Sequence, residues 1–104
     1  MIRQFSVFVN PSPRSRGAVP YVVLMQSHFV DAMHTALIAP VVREARTGDF
    51  SRVSVEVIVD SEALHISLAE MAPVLRSDLR TPIANLAAYE DDVRRALDRL
   101  FTGF

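Results

Sequence analysis

The chain contains no cysteine, lysine or tryptophan, and only three of its 104 residues are glycine. Without cysteine it can form no disulfide, thiolate metal site or cysteine nucleophile, which fits a reducing cytoplasm. With so few glycines it has no glycine-rich loop for binding phosphate. Every basic side chain is arginine, and the net charge is −1. The basic excess typical of nucleic-acid-binding proteins is therefore missing, and we expect no direct nucleic-acid binding.

Long apolar runs are also missing. No stretch approaches the roughly 20 apolar residues of a membrane helix, and the N-terminus lacks the apolar core of a signal peptide. Hydrophobic residues make up 50% of the chain and charged residues 22%, a balance typical of a folded globular protein. We therefore expect a single domain over residues 1–104, with no membrane association.

The N-terminal third predicts strands. Polar and apolar residues alternate over 2–9 and place Phe5, Val7 and Val9 on one predicted face. Residues 11–20 contain three prolines and a glycine and predict a loop.

The middle of the chain continues this pattern. An unbroken apolar run over 21–25 predicts a strand buried on both faces. Residues 35–42 predict another strand, and Pro40 within it is expected at an edge or a bulge. The polar stretch 43–51 predicts a turn.

A β-hairpin is the clearest local prediction. Apolar and polar residues alternate over 53–59 and again over 64–68, and a polar turn lies at 60–62. One more short strand is predicted at 73–75.

The C-terminal segment changes to a helical period. Carboxylates at 90–92 precede the arginines of the last turns, as the helix dipole favours, and Gly103 predicts the stop. The predicted fold class is α+β, a small, strongly bent antiparallel sheet or barrel with one C-terminal helix. The apolar face of that helix is predicted to comprise Leu86, Tyr89, Val93, Ala96, Leu97, Leu100 and Phe101.

Candidate chemistry is sparse. His28, His34 and His65 have no metal-ligand spacing, and no motif arranges a serine nucleophile with its base. The carboxylates at 90–92 are consecutive and spread around the helix instead of pairing. The residues alone predict a non-enzymatic domain without a cofactor or metal.

Four stretches, taken in order along the chain, resemble the CcdB family of toxins. These are QSHFVDAM (26–33), LIAPVV (37–42), the hairpin with its continuation (55–74), and the helix with the chain end (85–104). Each stretch is a weak signal, and their shared order and spacing carry the resemblance. It implies an SH3-like β-barrel with a C-terminal helix, a fold shared with MazF-like proteins, and a homodimer.

The resemblance also implies a function. CcdB-like toxins bind the A subunit of DNA gyrase and trap its complex with cleaved DNA, without catalysis by the toxin. A CcdA-like antitoxin neutralises them by folding its disordered tail onto the toxin. Carried over by position, the gyrase-binding residues are Ser27, Phe29, Val30, Asp98, Thr102, Gly103 and Phe104.

The chain end departs from the family pattern, because Thr102 stands where the family has a tryptophan. An alternative hypothesis is therefore a homologue that keeps the dimer and antitoxin binding but has lost gyrase poisoning. A third is a MazF-like ribonuclease that cleaves RNA, in which Arg14, Arg16 and a histidine would be candidates for phosphate binding and acid–base catalysis. Phe101 is predicted to pack against the sheet or a dimer partner, and Phe104 either to pack or to contact a partner.

Overall fold

The computed structural model describes residues 3–27 and 34–103. Within these ranges, seven strands form one antiparallel sheet, and a single α-helix follows at the C-terminus. This confirms the predicted α+β class. The strands are β1 (Ser6–Val9), β2 (Tyr21–Leu24), β3 (Thr35–Val42), β4 (Ser54–Val59), β5 (Glu62–Ser67), β6 (Ala72–Leu75) and β7 (Ala84–Asn85), and the helix is α1 (Glu90–Thr102).

The sheet curls around the larger of two apolar cores. Its strand order is β4-β5-β3-β2-β1-β7, and β6 pairs with the same flank of β3 as β5 does. Side chains from β1 to β5 meet in one buried cluster, so the sheet has to bend into a half-barrel around them. Val93 and Ala96 of α1 complete this cluster, and the helix therefore packs on the concave side.

A second, smaller core lies on the opposite face of β1, β2 and β3. A 3₁₀ turn at Arg76–Asp78 leads into Leu79, which is buried against it. Because β2 contributes to both cores, it is buried on both faces, as its unbroken apolar run predicts. The buried residues of this core are Phe8, Val22, Leu24, Ala36, Ile38 and Leu79.

The predicted course of the first strand is wrong at both ends. Phe5 has a left-handed backbone (φ 67°), and the Ser6 N–H donates to the Arg3 carbonyl, so a turn precedes the strand. Phe5 and Val7 do enter the larger core, but Val9 is 46% exposed. Phe8, on the face predicted to be polar, is only 1% exposed. Burial of β1 on both faces removes the alternation on which the prediction relied.

Pro40 lies inside a central strand without breaking it. β3 pairs with β6 up to Ile38 and with β5 from Val41, so the flank beside Pro40 is the point where the partner strand changes. The Leu37 carbonyl accepts a hydrogen bond from the Met25 N–H, so it faces β2. Successive residues of a strand direct their backbone polar groups to opposite flanks, so the N–H that Pro40 lacks would face the flank away from β2. A proline here costs no ladder hydrogen bond.

The β4–β5 hairpin closes through a tight turn. Asp60 (φ 51°) and Ser61 (φ 66°) both have left-handed backbones, which is the geometry of a type I′ turn. The register Val59↔Glu62 leaves only these two residues in the loop. The predicted hairpin is confirmed, but its turn is one residue shorter than the predicted turn at 60–62.

The proline-containing loop after β1 is organised around Asn10, which is 6% exposed. The Asn10 side-chain amide donates to the Ser15 hydroxyl (2.8 Å) and the Val19 carbonyl (2.9 Å), and its oxygen accepts from the Ser12 N–H (2.9 Å). The Asn10 carbonyl accepts from Nε of Arg16 (2.6 Å). The predicted loop is therefore held in one shape by a buried polar residue.

Candidate protein-binding site at the end of the helix

The end of α1 is fixed by Gly103. Its backbone is left-handed (φ 80°), and its N–H donates to the Arg99 carbonyl at 3.1 Å. This is the αL type of C-terminal cap, in which glycine avoids the steric cost of a Cβ atom. The predicted helix stop is confirmed, and it sets the direction in which the chain leaves the helix.

An apolar groove lies between this helix end and the 3₁₀ turn at Gly48–Val53. The groove has a volume of about 290 Å³. Phe50 contributes an aromatic ring that is 49% exposed, and Leu100 is 37% exposed. Val53 and Ala69 also line it. These side chains give the helix end an apolar surface that the solvent reaches.

Phe101 is the most exposed large apolar residue described, at 73%. The prediction that it packs against the sheet is wrong. It does continue the stripe of Val93 and Leu97 by helical spacing, but buried residues of the helix stop at Ala96. The last turn extends beyond the part of the sheet that supports the helix, so the stripe continues into solvent. Contact of Phe101 with a partner stays a prediction.

Arginines border the groove. Arg52 and Arg99 both line it, and NH1 of Arg99 donates to the Arg52 carbonyl at 3.2 Å. Asp49 is the carboxylate among the lining residues. The rim is therefore cationic around an apolar floor, a combination that suits a partner segment with apolar and acidic side chains.

Asp98 and Thr102 lie together on the exposed side of the last turn. The Thr102 hydroxyl donates to the Asp98 carbonyl at 2.6 Å. The threonine side chain therefore bonds back onto its own helix, a local pattern common for this residue type. The structure thus brings together three of the predicted gyrase-binding residues, Asp98, Thr102 and Gly103.

Ser27 is the other predicted contact residue within the described part of the chain. Ser27 is half-buried and follows β2. Its segment is anchored on the sheet, because the Gln4 amide donates to the Met25 carbonyl (3.0 Å) and the Leu37 N–H donates to Oε1 of Gln26 (2.9 Å). That Ser27 joins the helix end in one surface stays a prediction. Phe29, Val30 and Phe104 lie outside the described residues.

Phe50 is not among the contact residues predicted from the sequence. It lies in the polar stretch that predicts only a turn, and an isolated aromatic residue there was the available signal. The stretch forms a 3₁₀ turn that α1 packs against. That contact brings Phe50 next to Leu100, from which it is distant in sequence.

Other site types find little support in the described part of the chain. His34 is exposed, and His65 lies opposite Glu56 in the β4–β5 register. Within residues 3–27 and 34–103, no three His, Asp or Glu side chains are grouped to hold a metal ion. None of the helices described is both long enough and apolar enough to cross a membrane.

Comparison with known proteins identifies the family. No curated protein sequence matches the chain. The family model for the CcdB protein matches residues 4–103, nearly the whole chain. The curled antiparallel sheet with a C-terminal helix agrees with that family's fold. The chain therefore belongs to the CcdB family, the toxins of toxin–antitoxin systems.

Proposed function

We propose that this chain binds the A subunit of DNA gyrase and traps the complex of gyrase with cleaved DNA. Membership of the CcdB family supports this proposal, together with one observation: the solvent-exposed apolar surface at the end of α1. We propose that gyrase contacts three parts of the chain: the end of α1 with Phe101, the groove beside it, and the predicted contact residues that begin at Ser27. The toxin acts by binding and performs no catalysis, and its target implies a cytoplasmic location.

A CcdA-like antitoxin is the second proposed partner. In such a pair the antitoxin's disordered tail folds onto the toxin and neutralises it. The entropy lost when the tail becomes ordered offsets part of the favourable interaction energy, so the complex stays reversible. The reading frame adjacent to the gene for this chain is the place to look for that antitoxin.

One observation favours a second candidate function. Thr102 occupies the position of the family tryptophan, and its hydroxyl is bonded to the helix. A tryptophan offers a large apolar face and cation–π capacity, which threonine lacks. The second candidate is therefore a CcdB homologue that retains the dimer and antitoxin binding but no longer poisons gyrase.

A DNA cleavage assay separates the two candidates. Purified wild type and Thr102→Trp are incubated with gyrase, ATP and supercoiled plasmid, and linear DNA is measured after detergent and protease. We expect the wild type to yield linear DNA, because exposed Phe101 and Phe50 supply aromatic area in place of the tryptophan. Thr102→Val, which adds no large surface, serves as the control and is expected to match the wild type.

The outcomes are distinct. Linear DNA with Thr102→Trp alone supports the homologue without poisoning activity. Linear DNA with neither protein, at concentrations up to tens of micromolar, contradicts gyrase poisoning by the chain.

We also propose that the chain is a homodimer. Large apolar side chains away from the helix end are exposed as well, including Ile58, Leu75 and Ile83. Several such side chains on one small domain favour burial in an interface between copies. Light scattering at micromolar concentration is expected to give twice the chain mass of 11.6 kDa. A mass equal to one chain under those conditions contradicts the dimer.

A further inference from the structure

We propose that a second site, remote in sequence from the end of α1, binds a small phosphorylated ligand, a nucleoside 5′-monophosphate. The site is a cavity of about 550 Å³ between the loop after β1 and the segment that follows β6. Pockets that hold small molecules are commonly about 300–1,000 Å³ in volume. The cavity shares no lining residue with the groove at the helix end.

Two arginines provide the anion-binding part of this cavity. Arg16 lines it from the loop, and Arg80 lines it from the segment after β6. The described hydrogen bond of Arg16 uses only Nε, which leaves its two terminal amino groups for a ligand. Arg80 has no hydrogen bond or ion pair to any residue in the described ranges. A guanidinium group matches the oxygens of a phosphate with paired donors.

These two arginines differ from four arginines that form ion pairs elsewhere in the described part of the chain. Four arginines outside the cavity are paired with carboxylates, in the pairs Arg43–Glu62, Arg46–Glu70, Arg94–Glu90 and Arg95–Asp92. The carboxylate within the cavity is Asp78, which forms no ion pair with a described residue. The lining residues thus carry a net positive charge, although the chain as a whole carries −1.

The wall that carries Arg16 is preorganised. Nε of Arg16 donates to the Asn10 carbonyl, and the buried Asn10 amide donates to Ser15 and Val19 of the same loop. The side chain is therefore oriented before a ligand arrives, so binding loses less conformational entropy. A loop tip without such an anchor would have to become ordered on binding.

The rest of the cavity suits a nucleoside. Val9, Pro11 and Pro13 form an apolar wall, and this position of Val9 accounts for its exposure at the end of a buried strand. An apolar wall of this kind can cover one face of a purine or pyrimidine ring. The Asp78 carboxylate can accept from ribose hydroxyls and repels a phosphate beside it. It therefore favours the orientation in which the phosphate meets the arginines.

Charge also favours a small ligand over a nucleic-acid strand. A strand would extend from the cavity across a protein with a net charge of −1, whereas tight binding of a strand relies on many basic contacts to its phosphates. A mononucleotide places its charge only where the arginines lie. The proposed ligand class is therefore the phosphorylated nucleoside and not the polymer.

The test is a titration of the full, isotope-labelled chain followed by two-dimensional amide NMR. The ligands are adenosine 5′-monophosphate, adenosine, inorganic phosphate and a single-stranded RNA decamer. We expect the monophosphate to bind with a dissociation constant of about 10 µM to 1 mM and to shift signals of the loop after β1 and of residues 77–81. Adenosine and phosphate alone are expected to bind more weakly.

Arg80→Gln is the test variant, because Arg80 is exposed and has no ion pair with a described residue, so its loss should not affect folding. We expect it to weaken binding of the monophosphate by about 10-fold or more. Arg94→Gln, on the exposed face of α1, is the matched control and is expected to stay within twofold. The proposal is overturned if adenosine binds as well as its monophosphate, if Arg80→Gln has no effect, or if the decamer binds more tightly than the monophosphate. Failure here leaves gyrase binding untouched, since that proposal concerns other residues.

Discussion

Replacing Phe101 with alanine is expected to weaken binding to the A subunit of DNA gyrase by about 30-fold or more, or about 2 kcal/mol. The free energy of unfolding of the Phe101→Ala variant should stay within about 0.5 kcal/mol of the wild type. Both expectations follow from the 73% exposure of the ring. A side chain with so little contact inside its own fold contributes little to folding. It can contribute its whole apolar face to a partner.

The matched control is Ile58→Ala, which also removes an exposed apolar side chain (58%). Ile58 lies near the start of α1, because its N–H donates to the Tyr89 hydroxyl at 3.1 Å. The groove lies at the other end of α1, where Arg99 donates to the Arg52 carbonyl. Loss of binding that is specific to Phe101→Ala therefore localises the contact to the helix end. Affinity is measured by calorimetry with the isolated A subunit, and stability by urea unfolding at one protein concentration.

An unchanged affinity of Phe101→Ala for the A subunit would contradict the proposed contact surface. A similar loss with Ile58→Ala would contradict its location, since the effect would then not be confined to the helix end. A light-scattering measurement on each variant shows whether the mass of the species has changed. Comparison at equal mass attributes any loss to the contact itself.

The same residue bears on the departure of Thr102 from the family pattern. Thr102 satisfies its own hydroxyl on the Asp98 carbonyl and exposes no aromatic face. Phe101 and Phe50, exposed at 73% and 49%, provide aromatic area within the same end of the molecule. We propose that these two rings together supply the aromatic contact that the tryptophan makes in the family. Whether that suffices for gyrase is what the comparison with Thr102→Trp measures.

Features determined by local residues could be predicted from the sequence. The β4–β5 hairpin follows from alternation around a short polar turn, and the stop of α1 follows from Gly103. The charges of α1 also lie as predicted, with Glu90, Asp91 and Asp92 in its first turn and Arg99 in its last. Each of these features depends on residues that are close together in the chain.

Features determined by tertiary placement could not be predicted in this way. Helical spacing assigns Phe101 to the apolar stripe, but the position of α1 relative to the sheet decides whether that stripe is covered. Phe50 reaches the helix end only through the packing of its 3₁₀ turn on α1. The cavity with Arg16 and Arg80 joins two segments far apart in sequence, and neither segment contains a recognisable motif.

The first strand allows this distinction to be measured, through Phe8→Ala and its neighbour Val9→Ala. Alternation assigns Val9 to the core, whereas the structure buries Phe8 (1% exposed) in the smaller core and leaves Val9 46% exposed. Removing a buried phenylalanine side chain leaves a cavity and costs about 3–5 kcal/mol. This is a large part of the roughly 5–15 kcal/mol that holds a small domain folded.

Phe8→Ala is therefore expected to lower the urea midpoint sharply or to leave the chain unfolded in buffer, whereas Val9→Ala is expected to cost less than about 1 kcal/mol. Far-UV circular dichroism during urea titration, at one fixed protein concentration, measures both variants. Val9 and Phe8 are adjacent in one strand, so strand propensity and chain position are nearly matched. A larger loss for Val9→Ala would mean that the alternating pattern, and not the two-sided burial of β1, describes the strand. A large loss for Phe8→Ala alone would show that the smaller core is essential to the stability of the curled sheet.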